Sequence, residues 1–172
     1  NYLPKIIDNI KLDQLQNFDS IIKNIRSEYY EKVLKLSNKK FIIDKLPMNF
    51  RWIGFIANAF PEAKIIHIQR NPMAICWSNY KINFPDPGMD FSLTQKDTAK
   101  YYILYEDLMK FWLDKFKERI ININYENFVN NFENEIRGLI KKLGINWEEN
   151  IKNYSKNARP VQTASLLQVR GS

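Results

Sequence analysis

The sequence predicts an α/β fold in which a mainly parallel sheet carries helices on both faces. Short apolar runs at residues 41–44, 64–69 and 119–124 alternate with helix-length amphipathic stretches, the order expected of parallel strands joined by helical crossovers. The 172 residues, 45% of them apolar, suffice for one domain that buries most of its nonpolar surface. No repeat or low-complexity tract interrupts the alternation.

The elements follow in order. After a leading segment containing Pro4, the residues Ile22, Ile25, Tyr29, Val33 and Leu36 recur at helical spacing, predicting an amphipathic helix capped by Asp19 or Ser20. Residues 41–44 read as a strand. Residues 49–60 are apolar almost all round, as in a helix buried on several sides, and Pro61 ends it because its ring removes an N–H and crowds the preceding turn. The Ile-rich run 64–69 is a second strand. Asn71 and Pro72 are a helix cap and first turn, so this strand passes through Arg70 straight into a helix over 72–80. Pro85, Pro87 and Gly88 make 84–90 a loop. A long helix starts near Asp97, with Tyr101, Leu104, Tyr105, Leu108, Trp112 and Phe116 as its apolar stripe. A third strand, 119–124, leads into one further helix whose face is Phe128, Phe132, Ile136, Leu139 and Leu143, stopped by Gly144.

Composition narrows the function classes. The formal charge of +7 lacks the clustering of a nucleic-acid surface, since Lys39–Lys40 and Lys141–Lys142 are only short pairs. No nucleic-acid partner is expected; a small polyanion needs only two or three aimed cations. No run approaches the roughly 18 to 20 apolar residues of a membrane span. Cys76 is the single cysteine, which excludes an intrachain disulfide and a multi-cysteine metal site, and a reducing, cytoplasmic setting fits best.

In parallel sheets, ligands bind beyond the carboxyl ends of the strands. Here that rule selects residues 44–49, 70–78 and 124–126. Arg70 ends a strand facing the amino end of the next helix, where backbone N–H groups and the helix dipole favour an anion. Ser78, eight residues on, could hold the far side of a phosphate that Arg70 grips with its planar fork. The plainer alternative is a surface ion pair for Arg70 and a solvated Ser78.

Two segments carry a family resemblance: Asp44-Lys45-Leu46-Pro47-Met48-Asn49-Phe50, and Pro61-Glu62-Ala63-Lys64-Ile65-Ile66-His67-Ile68-Gln69-Arg70-Asn71-Pro72. With Tyr101-Tyr102, Tyr125-Glu126-Asn127-Phe128-Val129 and residues 159–170, in that order, they resemble the sulfotransferases, particularly bacterial members fused to tetratricopeptide repeats. The resemblance implies a partial sulfotransferase fold of the P-loop nucleotide-kinase kind. It implies 3′-phosphoadenosine 5′-phosphosulfate (PAPS) as donor, 3′-phosphoadenosine 5′-phosphate (PAP) as product, and no metal. Arg70 and Ser78 would then grip the donor's 3′-phosphate and Tyr125 would line the nucleotide site. Lys45 would be the catalytic cation beside the transferring sulfuryl group. For Tyr125 the alternative is a structural hydrogen bond, and for Lys45 a surface position at a strand end. His67, inside an Ile-rich strand, reads as a packed core residue rather than a base.

One departure matters. The resemblance requires a Gly- and Ser/Thr-rich loop between a first strand and its helix, where successive N–H groups cradle the phosphosulfate. Gly54, Gly88, Gly138, Gly144 and Gly171 are scattered and form no such loop. The chain is therefore expected to be one sulfotransferase domain incomplete at both ends, inactive by itself. The roles of Thr163, Ser165, Gln168 and Arg170 stay unassigned. The acceptor, a hydroxyl or amine, is undefined, although loop 83–94 is expected to form one wall of its site. A nucleotide-kinase-like phosphotransferase and a noncatalytic interaction domain on the same fold are the alternatives.

Overall fold

The computed structural model describes residues 2–10, 17–36, 38–82, 84 and 88–156. The chain divides into two compact units, Asn1–Ile123 and Asn124–Ser172. In order, the described elements are α1 (Leu3–Ile7), α2 (Phe18–Leu34), a 3₁₀ segment Pro47–Trp52 and α3 (Ile53–Ala59). Then come β1 (Ile65–Gln69), α4 (Pro72–Lys81), a 3₁₀ turn Asp90–Leu93, α5 (Gln95–Lys115) and β2 (Ile120–Asn124). α6 (Tyr125–Asn130), α7 (Phe132–Leu143) and a 3₁₀ segment Glu149–Lys156 complete the order.

In the first unit, α2 buries Ile21, Ile25, Tyr29 and Val33, four residues apart, against Leu3, Ile6 and Ile7 of α1 and against Ala59 and Phe60. Its cap is Asn17, whose side chain accepts the Ser20 N–H at 3.4 Å, rather than Asp19 or Ser20 as the sequence predicts. Leu36 lies past the helix end and is exposed.

A second core joins Ile53, Met109 and Ile120, with Phe50, Ile65, Tyr105, Trp112 and Phe116 packed around it. Two arginines end α3. Pro61 has no N–H to offer the Ala57 carbonyl four residues earlier. The Arg119 guanidinium donates to that carbonyl instead, and also to those of Phe60 (2.6 Å) and Ala63 (3.2 Å). Arg26 donates to the Ala59 carbonyl at 2.8 Å.

The sheet is smaller than the sequence predicts. Among the described residues it holds two strands, β1 and β2. Ile65 N–H donates to the Arg119 carbonyl (3.1 Å), and farther along both strands His67 pairs with Asn122, so the pairing is parallel. Residues 41–44 form no strand: the segment is irregular and exposed, Ile43 to 92%, and Phe41 and Ile42 likewise face outward. Strand propensity at Phe41, Ile42 and Ile43 yields a strand only where a partner ladder receives it.

α5 covers the face bearing Ile65, His67 and Ile120, while on the other face Ile66 and Ile68 are 43% and 59% exposed and Ile123 is buried.

α5 begins at Gln95, earlier than predicted. Thr94 accepts the Asp97 N–H (3.0 Å) while its hydroxyl donates to the Asp97 carboxylate (2.8 Å), which makes a reciprocal cap. Leu104, assigned to the buried stripe by spacing, is 67% exposed.

In the second unit the single predicted helix is two. α6 ends at Asn130, Asn131 leaves helical geometry at φ −137°, and α7 restarts at Phe132. Phe128 and Phe132 still meet edge to face across the break, their centroids 5.3 Å apart. Gly144 ends α7 in the left-handed conformation, φ 69°, as predicted.

Candidate functional site

Arg70 follows the last residue of β1 and is exposed; Asn71 and Pro72 come next and start α4. The Asn71 side chain accepts the Ala74 N–H at 3.1 Å, so the sequence signal for an abrupt strand-to-helix turn is realised. Ser78 is half-buried on α4, six residues beyond Pro72, hence about 9 Å along the helix axis. Ser78 is also seven residues, close to two full turns, from Asn71, so both lie on one side of α4.

Lys45 is exposed on the lead-in to the 3₁₀ segment. Its neighbour Asp44 is held twice: the Tyr29 hydroxyl donates to Oδ2 (3.2 Å) and the Asn49 amide to Oδ1 (3.3 Å). Burial, then the facing Asp44 carboxylate, raise the Tyr29 phenol well above the ordinary tyrosine range, so it stays a donor. Beyond Lys45, Met48 receives the Tyr101 hydroxyl at 3.5 Å, and the Phe50 ring meets Tyr101 and Tyr105 edge to face, at 6.3 and 5.1 Å.

Tyr105 ties this segment to the sheet. Its hydroxyl lies 2.5 Å from His67 Nε2, and His67 Nδ1 lies 2.7 Å from Asn122 Oδ1. Asn122 Nδ2 donates to Gln69 Oε1 at 3.3 Å. These partners fix one polarity. Asn122 spends its amide N–H on Gln69, so its oxygen accepts from His67 Nδ1–H, which leaves Nε2 to accept the Tyr105 O–H. Burial lowers the His67 pKa, in keeping with a neutral ring, and pushes the Tyr105 phenol up to about 12. The chain of bonds ends at Gln69, next to Arg70.

α5 leads into the amino end of β2 and lays its middle on the middle of β1, so it runs opposite to both strands. Tyr101, one turn before Tyr105, therefore carries Met48 beyond the level of His67, on the Arg70 side.

The first unit thus contains Lys45, Arg70 and Ser78 on connected elements. Tyr125 belongs to the second unit, at the first position of α6 directly after β2. There Asn124 caps the helix by accepting the Asn127 N–H at 2.8 Å, and Glu126 occupies the first turn, where its charge suits the dipole.

His67, read from its neighbours as a packed core residue, is half-buried and hydrogen-bonded at both nitrogens. The Tyr105 and Asn122 side chains that bind it gave no sequence signal, because they come from elements 38 and 55 residues away. Residues 159–170 lie outside the described residues. Among the described residues no three His, Cys, Asp or Glu side chains converge as a metal site, and no helix is long and apolar enough to cross a membrane.

Residues 4–149 match the sulfotransferase family, a span containing Lys45, Arg70, Ser78 and Tyr125. The chain belongs to the sulfotransferase family. A relative from the bacterium Aquifex aeolicus (strain VF5), itself an uncharacterized protein, is 32% identical over 180 residues. That alignment covers 99% of this chain and 24% of the relative, so the chain spans about a quarter of that protein's length. Membership implies a sulfuryl-transferring enzyme class with PAPS as its general donor.

The residues present fit one end of such a donor. An arginine, a serine hydroxyl and a capped helix start are phosphate-binding chemistry. The phosphosulfate end has no matching cradle among the described residues, where the glycines with positive φ are Gly88 and Gly144, neither joining a strand to a helix.

Proposed function

We propose that the parent protein is a PAPS-dependent sulfotransferase and that this chain carries the 3′-phosphate end of its donor site. The observation that supports this most is the turn at Arg70, where β1 passes without a loop into the Asn71-capped α4 that bears Ser78. Arg70 and Ser78 hold the 3′-phosphate from two sides, and the family resemblance assigns Tyr125, in the second unit, to the nucleotide.

PAPS supplies the sulfuryl group. As it passes to an acceptor hydroxyl or amine, the bond between sulfur and the bridging oxygen of the nucleotide breaks and negative charge collects on that oxygen. Lys45 keeps its ammonium against this charge, an interaction stronger in the transition state than in the ground state. The acceptor's proton leaves to a general base as the acceptor bonds to sulfur.

The phosphosulfate cradle likewise belongs to the parent outside these residues. This chain alone should then fail to turn over PAPS, because the reacting group is not oriented even where its 3′-phosphate is held.

Radiolabelled sulfate transfer from PAPS to a panel of acceptors tests the reading in the parent, the Lys45→Ala parent and this chain. The parent transfers label, Lys45→Ala lowers turnover by about 100- to 1,000-fold with little change in donor affinity, and this chain is silent. Full activity in this chain would refute the division of the site. An unchanged rate in the variant would leave Lys45 a structural residue.

A further inference from the structure

The first unit has an open pocket of about 470 Å³ that none of the preceding chemistry uses. It lies between α3 and the last turns of α5. Both helices end where the strands begin, and Arg119 fastens that junction. Arg70 lies beyond the opposite, carboxyl end of β1, so the pocket is at the other end of the sheet.

Its walls are aromatic. Trp52 and Phe55 touch at 6.4 Å on one side, and Phe111, Trp112 and Phe116 form a continuous surface on the other, with centroids 4.8 and 5.9 Å apart. Trp112 is held in place by its Nε1–H, which donates to the Phe50 carbonyl at 2.8 Å. Gly54 is required beneath it, since a Cβ there would come within 2.9 Å of the Trp112 ring. The rings are preassembled, so a ligand need not order them.

The charged groups lining the pocket are both cations. The Arg51 guanidinium lies 5.1 Å from the Trp52 ring centre, and the Lys115 ammonium 6.0 Å from that of Phe111. Among the described residues neither forms an ion pair, and no carboxylate lines the pocket. Aromatic walls suit a planar ring, the two cations suit an anion, and the volume falls in the range of small-molecule sites.

We propose that this pocket is a binding site for a planar aromatic small molecule bearing one carboxylate or sulfate. The ring slides between Trp52 and the Phe111–Phe116 wall, and the anion meets Arg51 and Lys115 at the rim. This site is independent of the donor reading, since it shares no residue with it.

The test is calorimetric titration of the 172-residue protein with 2-naphthoate, with 2-naphthylmethanol as the uncharged counterpart. Expected are saturable one-to-one binding of naphthoate, about tenfold weaker binding of the alcohol, and a loss of about tenfold for the Arg51→Gln, Lys115→Gln double variant. Both substituted side chains are exposed. On the unaltered protein, magnetisation transfer from naphthoate should reach the indoles of Trp52 and Trp112 and not those of Trp77 and Trp147. Absence of saturation at about 10 mM ligand, equal binding of alcohol and acid, undiminished binding by the double variant, or transfer to Trp77 or Trp147 instead would each overturn the proposal.

Discussion

Replacing Arg119 by methionine should cost the first unit about 2 to 4 kcal/mol of stability. The size follows from what the guanidinium does. Ala57, with 2% of its surface exposed, has a carbonyl whose helical partner would be the N–H of Pro61, which does not exist. Arg119 supplies the missing donor and adds bonds to the Phe60 and Ala63 carbonyls. The Phe60 carbonyl keeps a second partner, the Ala63 N–H at 3.0 Å, so its loss is the smaller one.

A buried acceptor left without a partner costs about 1 to 3 kcal/mol, and the bonds lost are charge-assisted. Against a total stability of about 5 to 15 kcal/mol this is a large fraction. Urea unfolding followed by tryptophan fluorescence measures it as a fall in midpoint at constant slope. Arg119→Lys, with one ammonium for three acceptors, should lose about half as much, and Arg26→Met, at a half-buried position with one such carbonyl, about 1 kcal/mol. A loss below about 0.5 kcal/mol for Arg119→Met would refute the view that Arg119 ends α3.

Two further predictions concern pH. Burial lowers the His67 pKa from 6.5, so the unfolded state binds its proton more readily. His67 should therefore reduce stability as pH falls below 6.5, an effect that disappears in His67→Gln; urea midpoints at pH 7.5 and pH 5.5 compare the two, and equal slopes would contradict it. Glu62, hydrogen-bonded by Arg26 and then by Tyr30, is held at about 2. Its depressed pKa contributes stability present above 4.5 and lost as pH falls through about 2, so Glu62→Gln should flatten the acid limb of unfolding. An unchanged acid midpoint would show that this exposed cluster stabilises nothing.

What could be read from the sequence was local. Asn71 and Pro72 announced α4 because a cap and a fixed φ act within one turn, and Gly144 ended α7 because a left-handed residue suits glycine. The position of Arg70 came with them. Residues 41–44 misled because strand propensity carries no information about a partner, and the neighbouring Asp44 is held instead by Tyr29 and Asn49. The break at Asn131 was hidden by an apolar period that runs unbroken through Phe128, Phe132 and Ile136. The Tyr105–His67–Asn122–Gln69 chain was invisible for another reason: it is assembled by tertiary packing from three elements, and each residue had an adequate local explanation.

The most direct measurement of the central claim is calorimetric titration of the complete parent, unaltered and as Arg70→Ala, with PAP and with adenosine 5′-phosphosulfate, which lacks the 3′-phosphate. Loss of charge-assisted bonds contributing about 1.5 to 3 kcal/mol predicts at least about tenfold weaker PAP binding and almost no change for the second ligand. Equal losses for both ligands, or none for PAP, would contradict the placement of the 3′-phosphate at Arg70.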